Sequence, residues 1–195
     1  MKRWIWCAAI SALLGAACSN GADSVNDTPV TADHTFASGG KIQMDLGGGS
    51  YEIRPGTADR IHVVTSGHTG DAKIDISGQG TSATVSVSNT PHSNFHAAIE
   101  VPKTTDLAIK LAAGNLTVAP ITGDLDVDSR AGNVTITVAD PNDYGNVDAN
   151  VKAGDIKAGP FGESKSGINP RVTWSGPGKH TLHASVGAGN LTFQK

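Results

Sequence analysis

The chain has 195 residues, among them 24 Gly and 9 Pro, with 38% apolar, 17% charged and only 5% aromatic side chains. That length holds one domain with appendages, and the apolar share, with glycine that follows no three-residue period, excludes collagen and outright disorder. Lys and Arg number 15 against 18 Asp and Glu, a net charge of -3 with no basic cluster, so the electrostatic footprint of a nucleic-acid binder is missing.

Met1, Lys2 and Arg3 precede an apolar run over residues 4–17 that contains Trp4, Ile5, Trp6, Ile10, Leu13 and Leu14. A cationic start and a short apolar stretch ending in small residues read as a secretory signal peptide, too short to span a bilayer. Residues 1–17 are therefore expected to be removed and the remainder exported. The end of the run, Leu13-Leu14-Gly15-Ala16-Ala17-Cys18, resembles a bacterial lipobox, in which the Cys carries the lipid, although Gly15 stands where Leu is usual. Cys7 leaves with the signal, so Cys18 would be an orphan thiol in an oxidising compartment. Lipidation accounts for that orphan, whereas cleavage without a lipid would leave it free or remove it. Ser19 after the Cys resembles lipoproteins sorted to the outer membrane of a Gram-negative host, and a periplasmic address is the alternative. Residues 18–33 are small and polar with little to bury and read as a flexible tether; residues 34–195 read as the folded domain.

From residue 41 onward the chain is a series of short alternating strands: 41–46, then Gly49-Ser50-Tyr51-Glu52-Ile53, then segments centred on Ile61 and Val63, Ile74 and Ile76, Val85 and Val87, Ile99 and Val101, and Leu107, Ile109 and Leu111. Gly, Pro, Ser and Asn punctuate them, the pattern of half-buried strands. No window outside the signal has a helical period.

The second half repeats itself. Gly114-Asn115-Leu116-Thr117-Val118 is followed by Gly123-Asp124-Leu125-Asp126-Val127, Gly132-Asn133-Val134-Thr135-Ile136, Gly145-Asn146-Val147-Asp148-Ala149 and Gly154-Asp155-Ile156-Lys157-Ala158, and Gly189-Asn190-Leu191-Thr192-Phe193 comes near the C-terminus. Glycine accepts positive φ and Asn or Asp tolerates it, so each pair is a turn that starts a strand with one apolar face. Strands this short bury a core only when stacked on their neighbours. The fixed step predicts an all-β fold, a single-stranded right-handed β-helix or β-solenoid with coils of about 18 to 22 residues; a β-sandwich, also made of many short strands, is the alternative. Sequential stacking would put Leu116, Val134 and Ile156 in one column and Leu125 with Val147 in another. Outward rows of Thr117, Thr135 and Lys157, and of Asp126 and Asp148, would follow. That carboxylate pair, one rung apart, is a candidate cation site or retaining-glycosidase pair; two separately solvated aspartates are the plainer reading.

These units resemble a bacterial envelope domain family of unknown function, the “putative adhesin” family akin to GIN head domains. The matching segments are Asp45-Leu46-Gly47-Gly48-Gly49-Ser50-Tyr51-Glu52-Ile53, then Ala98-Ile99-Glu100-Val101-Pro102 leading into Leu107-Ala108-Ile109, and then the Gly-Asn and Gly-Asp run closed by Leu191-Thr192-Phe193. The likeness covers residues 36–195. It implies a right-handed β-helix-like solenoid and supplies no catalytic residue. Residues 161–178 depart from the nine-residue beat and are expected to form a longer loop or irregular rung.

Other chemistry is weak. Ser38-Gly39-Gly40-Lys41 fits a Ser-x-x-Lys pattern without its helix or companion motifs and reads as a turn. Gly78-Gln79-Gly80 begins a loose dinucleotide pattern, but an alternating strand follows where a helix N-terminus is needed, so it reads as a hairpin. His92 with His96, and His180 with His183, lack the spacing of a preset chelate. The turns resemble calcium-binding nonapeptides but carry Asn at 115, 133, 146 and 190 and Asp only at 124 and 155, which suits amide ladders better than a cation cage. No metal or cofactor is expected. Trp174 reads as a core cap.

The expected function is non-catalytic: an exported, lipid-anchored envelope protein whose solenoid serves as an adhesion, surface-interaction or structural module. Its partners would be the membrane through the anchor and an envelope glycan, a protein or a second copy. A glycan-active enzyme on a β-helix scaffold and an envelope-stress accessory or sensor protein are the alternatives.

Overall fold

The computed structural model describes residues 28–57 and 59–195; the signal peptide, Cys18 and most of the tether lie outside them. The described residues fold as twelve strands, with two short 3-10 turns at Pro141–Asp143 and Gly159–Phe161. In chain order the strands are β1 (Thr31–Thr35), β2 (Lys41–Gly56), β3 (Arg60–Gly67), β4 (Lys73–Gln79), β5 (Ser82–Ser88), β6 (Phe95–Pro102), β7 (Asp106–Val118), β8 (Leu125–Thr137), β9 (Tyr144–Lys157), β10 (Lys165–Ile168), β11 (Arg171–Ser175) and β12 (His180–Gln194). The protein is all-β. Strand β1 begins at Thr31, so the folded part takes in the last residues assigned above to the tether.

Five long strands lie side by side in the order β2, β7, β8, β12, β9, every neighbouring pair parallel. Each is bent near its middle into two arms. In β7, Leu107, Ile109 and Leu111 are buried before the bend and Leu116 and Val118 after it. The alternation breaks across residues 112–115, so the chain turns a corner while keeping its apolar side inward. The bends coincide at five glycines in register, Gly49, Gly114, Gly132, Gly189 and Gly154. All five have φ between 122 and 148 degrees, and a Cβ on Gly132 would sit 1.8 Å from the carbonyl oxygen of Gly114. Backbone geometry and strand contact both demand glycine here.

Inside the bend the apolar residues form continuous files. Ile42, Leu107, Leu125, Leu182 and Val147 make one, and Met44, Ile109, Val127, Ala184 and Ala149 the next; across the corner run Tyr51, Leu116, Val134, Leu191 and Ile156. Side chains from both arms join one core cluster. Each buried Leu, Ile or Val contributes roughly 1.5–3 kcal/mol.

At both ends two shorter strands replace one bent strand. Strand β5 pairs with the first arm of β2 and β6 with the second, both parallel; antiparallel β4 and β3 then follow, and β1 pairs with β3 outermost. At the opposite end β11 and β10 run antiparallel along the two arms of β9. The irregular segment after residue 160 is this end rung. The sheet is open, with β1, β4, β10 and β11 at its margins.

The order of rungs corrects the expectation of sequential coils. Leu116 and Val134 are register partners, 18 residues apart. Ile156 does not follow Val134: the C-terminal strand β12 lies between β8 and β9, and Leu191 pairs with both residues. The two long arms packing apolar faces on one another also give the molecule the layered character of the sandwich alternative. Gly78, Gln79 and Gly80 lead through the β4–β5 hairpin, and Ser38 lies in the turn before β2.

Candidate functional site

The outer faces of the two arms carry different chemistry. On the second arms one file runs His96, Ser50, Asn115, Asn133, Asn190, Asp155 and Ser166 across successive strands. Its amides bond one another: Asn190 Nδ2 donates to Asn133 Oδ1 at 2.8 Å, Asn133 Nδ2 to Asn115 Oδ1 at 3.1 Å, and Asn115 Nδ2 to Ser50 Oγ at 3.5 Å. Two residues on, a second file holds Glu52, Thr117, Thr135, Thr192 and Lys157. Neighbours in a file lie one strand spacing apart, about 4.8 Å. The file reaches only partly where sequential stacking put it, because Thr192 separates Thr135 from Lys157.

The first arms carry charge. Their outward residues include Asp45, Lys110, Asp128, Ser185 and Asn150 in one file and Gln43, Ala108, Asp126, His183 and Asp148 in another. Asp126 and Asp148 are thus not adjacent rungs: His183 lies between them, for the same reason that Leu191 divides the apolar file. Asp148 is held by Arg171, whose Nε and Nη2 lie 2.9 and 2.5 Å from its two carboxylate oxygens. That hydrogen bond, then the attraction of the carboxylate, raises the Arg171 pKa above its ordinary value. The arrangement is an ion pair on an end strand, and no paired-acid geometry results.

The turn glycines fall into two classes. Gly114, Gly132, Gly154 and Gly189 are the bends, with Asn115, Asn133, Asp155 and Asn190 beginning the second arms. Gly123 with Asp124, and Gly145 with Asn146, stand where the chain enters a new rung. There the Asp124 amide donates to Asp106 Oδ1 at 2.8 Å, and Asp124 Oδ1 accepts from the Thr181 amide at 2.8 Å. Asp124 is therefore a backbone tie. His180 Nδ1 lies 3.7 Å from the same oxygen, while His92 is in a loop and His96 is on β6. Among the described residues no cluster of three or more His, Cys, Asp or Glu could hold a metal ion, and no helix is long and apolar enough to cross a membrane.

Trp174 packs on Phe161 with ring centroids 5.3 Å apart, and Phe161 also meets Phe193 and Tyr144 edge-on. This aromatic cluster closes the core at the β9 end. Burial raises the Tyr51 and Tyr144 hydroxyl pKa values, with Asp143 and Asp124 adding to the shift at Tyr144. The Tyr51 hydroxyl is buried without a hydrogen-bond partner among the described residues.

The sequence reading named neither Arg130 nor Lys152. Both precede an Ala-Gly pair, in Arg130-Ala131-Gly132 and Lys152-Ala153-Gly154, and Ala112 and Gly187 occupy the same position before the bends at Gly114 and Gly189. That Ala marks the bend glycines of the repeated units, Gly114, Gly132, Gly154 and Gly189, off from the entry glycines, which follow Thr122 and Tyr144.

No protein-family profile and no curated protein matches the chain. Solved structures to which it is similar include the following two. A “putative cell adhesion protein” from Clostridium sporogenes superposes with a TM-score of 0.53 at 13% identity, over 86% of this chain and 99% of that one. A “putative adhesin” from Bacteroides fragilis gives a TM-score of 0.27 at 9% identity, over 87% of this chain and 98% of that one. The first likeness is one of fold.

Proposed function

We propose that this chain is an exported, non-catalytic surface-interaction module, a β-solenoid-type scaffold that holds its Asn and Thr files against an extended, uncharged glycan of the cell envelope. The observation that carries the reading is the hydrogen-bonded file Ser50, Asn115, Asn133 and Asn190 beside Thr117, Thr135 and Thr192. Amides bonded along the file are fixed before any ligand arrives, so little side-chain entropy remains to be lost on binding. A periodic row of weak donors and acceptors suits a polymer better than a small molecule, which wants a concave apolar pocket. Parallel connections such as that from β7 to β8 are right-handed by the general rule for crossovers, which supports a right-handed solenoid with one strand inserted late. The fold shared with the clostridial protein supports an adhesion role. Lipidation at Cys18 would tether the module to the envelope, in keeping with the single thiol of the exported chain.

A glycan array probed with the exported chain tests the contact face. Neutral glycan binding is expected, and Asn133→Ala with Thr135→Val should weaken it about tenfold while leaving the fold intact; absence of any glycan signal, or a signal indifferent to that variant, removes the proposal. Incorporation of a clickable fatty acid into the chain, lost in Cys18→Ala, tests the anchor separately.

A further inference from the structure

On the outer side of the first arms, near the bend, a trough of about 610 Å³ is bounded by Asp45, Lys110, Asp128, Arg130, Lys152 and Ser185. We propose that this trough is a second binding site, for an acidic polysaccharide, in which Arg130 and Lys152 hold carboxylate groups of the sugar chain and Asp45, Asp128 and Ser185 take its hydroxyls. It lies on the arm opposite the Asn and Thr files and does not depend on them.

The cations there are unspent. Among the described residues Arg54 pairs with Glu100 at 2.8 Å, Arg60 with Asp33 at 3.3 Å and Arg171 with Asp148 at 2.5 Å. Arg130 is the remaining described arginine and forms no ion pair, although Asp128 is two residues away, and Lys110 and Lys152 form none either. All three are exposed.

The backbone keeps the space between them open. Arg130 on β8, Gly187 on the intervening β12 and Lys152 on β9 lie at one level, between the register partners Ser129, Val186 and Val151 and the partners Ala131, Ala188 and Ala153. A Cβ on Gly187 would lie 2.3 Å from the Arg130 carbonyl oxygen, so the strand between the cations cannot carry a side chain at that level. Ala112 flanks Arg130 on its other side. Two strand spacings put the backbone positions of the two cations about 10 Å apart, a spacing from which their long side chains reach successive acidic groups on one chain.

The composition of the rim chooses among anions. A guanidinium fork matches a carboxylate with two parallel hydrogen bonds, and the Lys ammonium adds a point charge. Asp45 and Asp128 would repel a bare polyphosphate or a dense anionic membrane surface, yet each accepts hydroxyl hydrogens from a sugar ring. Binding through exposed charges on a protein of net negative charge is local and weakens with salt.

The test measures binding of the full exported chain to immobilised polygalacturonate at low salt, with dextran, polyphosphate and phosphatidylglycerol vesicles alongside. Polygalacturonate is expected to bind and dextran not to compete for it. Arg130→Gln with Lys152→Gln should weaken binding about tenfold, and Lys179→Gln with Lys195→Gln, which removes the same charge elsewhere, should leave it unchanged. Arg130→Lys, which keeps the charge and loses the fork, should fall between. Failure of the native chain to bind polygalacturonate, an equal loss in the Lys179 and Lys195 control, or equally tight binding of polyphosphate or of the vesicles would overturn the proposal.

Discussion

At the residue scale the bend glycines are the positions least open to change. In Gly132→Ala the new methyl would meet the Gly114 carbonyl oxygen and the residue would be held at a φ of 124 degrees. The expected loss is about 3 kcal/mol or more, combining strain with the displacement of two packed strands, measured as a fall in the denaturation midpoint at constant slope. Tyr51 gives the opposite case. Its hydroxyl is buried without a partner, and burial raises its pKa above the ordinary tyrosine range. The unfolded chain loses this proton at lower pH than the folded chain does, so stability is full below the unfolded tyrosine pKa of about 10 and declines as pH rises beyond it. Tyr51→Phe should therefore cost little at neutral pH, since no hydrogen bond is lost. It should also flatten the alkaline decline in melting temperature, leaving the share due to Tyr144. An unchanged alkaline slope would show that the hydroxyl is solvated.

At the element scale the informative strand is β12. Chain termini usually fray, but this strand is parallel to both of its neighbours and buries Leu182, Ala184, Val186, Leu191 and Phe193. Hydrogen exchange should place the amides of 182–193 among the slowest in the protein, near the global unfolding free energy. The amides of β10, a four-residue margin strand with every residue exposed, should exchange far faster. Comparable rates in the two strands would contradict the inserted position. A chain ending at Lys179 should lose cooperative unfolding, because two buried strand edges would face water with their ladders unmade.

The same element shows why sequence reading went only part of the way. Gly189-Asn190-Leu191-Thr192-Phe193 carries the same turn chemistry and alternation as its fellows, so its membership in the stack could be read directly. Its place could not. Every bend unit offers the same glycine corner and the same apolar files, so the local pattern fits next to β8, β9 or the outside of β9 equally well. The position between them is decided by packing of the whole: β10 and β11 occupy the far side of β9, and the 3-10 turn at Gly159–Phe161 brings Phe161 onto Phe193 and Trp174. The one-rung spacing of Asp126 and Asp148 depends on the same order, and the insertion of β12 puts His183 between them, which leaves the plainer reading of two separate aspartates.

At the scale of the whole molecule, the pairings join residues distant in sequence. Gly49 meets Gly114, and Val134 meets Leu191. Closing such loops costs entropy before any contact forms, and non-local sheets fold slowly. Refolding after dilution from denaturant should occur in roughly milliseconds to seconds, well behind helical domains of similar size; a microsecond phase carrying the full amplitude would contradict this topology.

The amino-acid sequence by itself determined that the chain is all-β, where its strands alternate, and that its Gly-Asn units supply corners and polar files, because φ preference and two-residue periodicity act within a few bonds. The tertiary structure alone decided which strand lies beside which, and therefore that Arg130 and Lys152 flank β12 at Gly187, where it has no side chain, while Asp126 and Asp148 are kept apart. Neighbour order among near-identical rungs is set by competition for shared edges and core volume, and no single repeat unit carries that information.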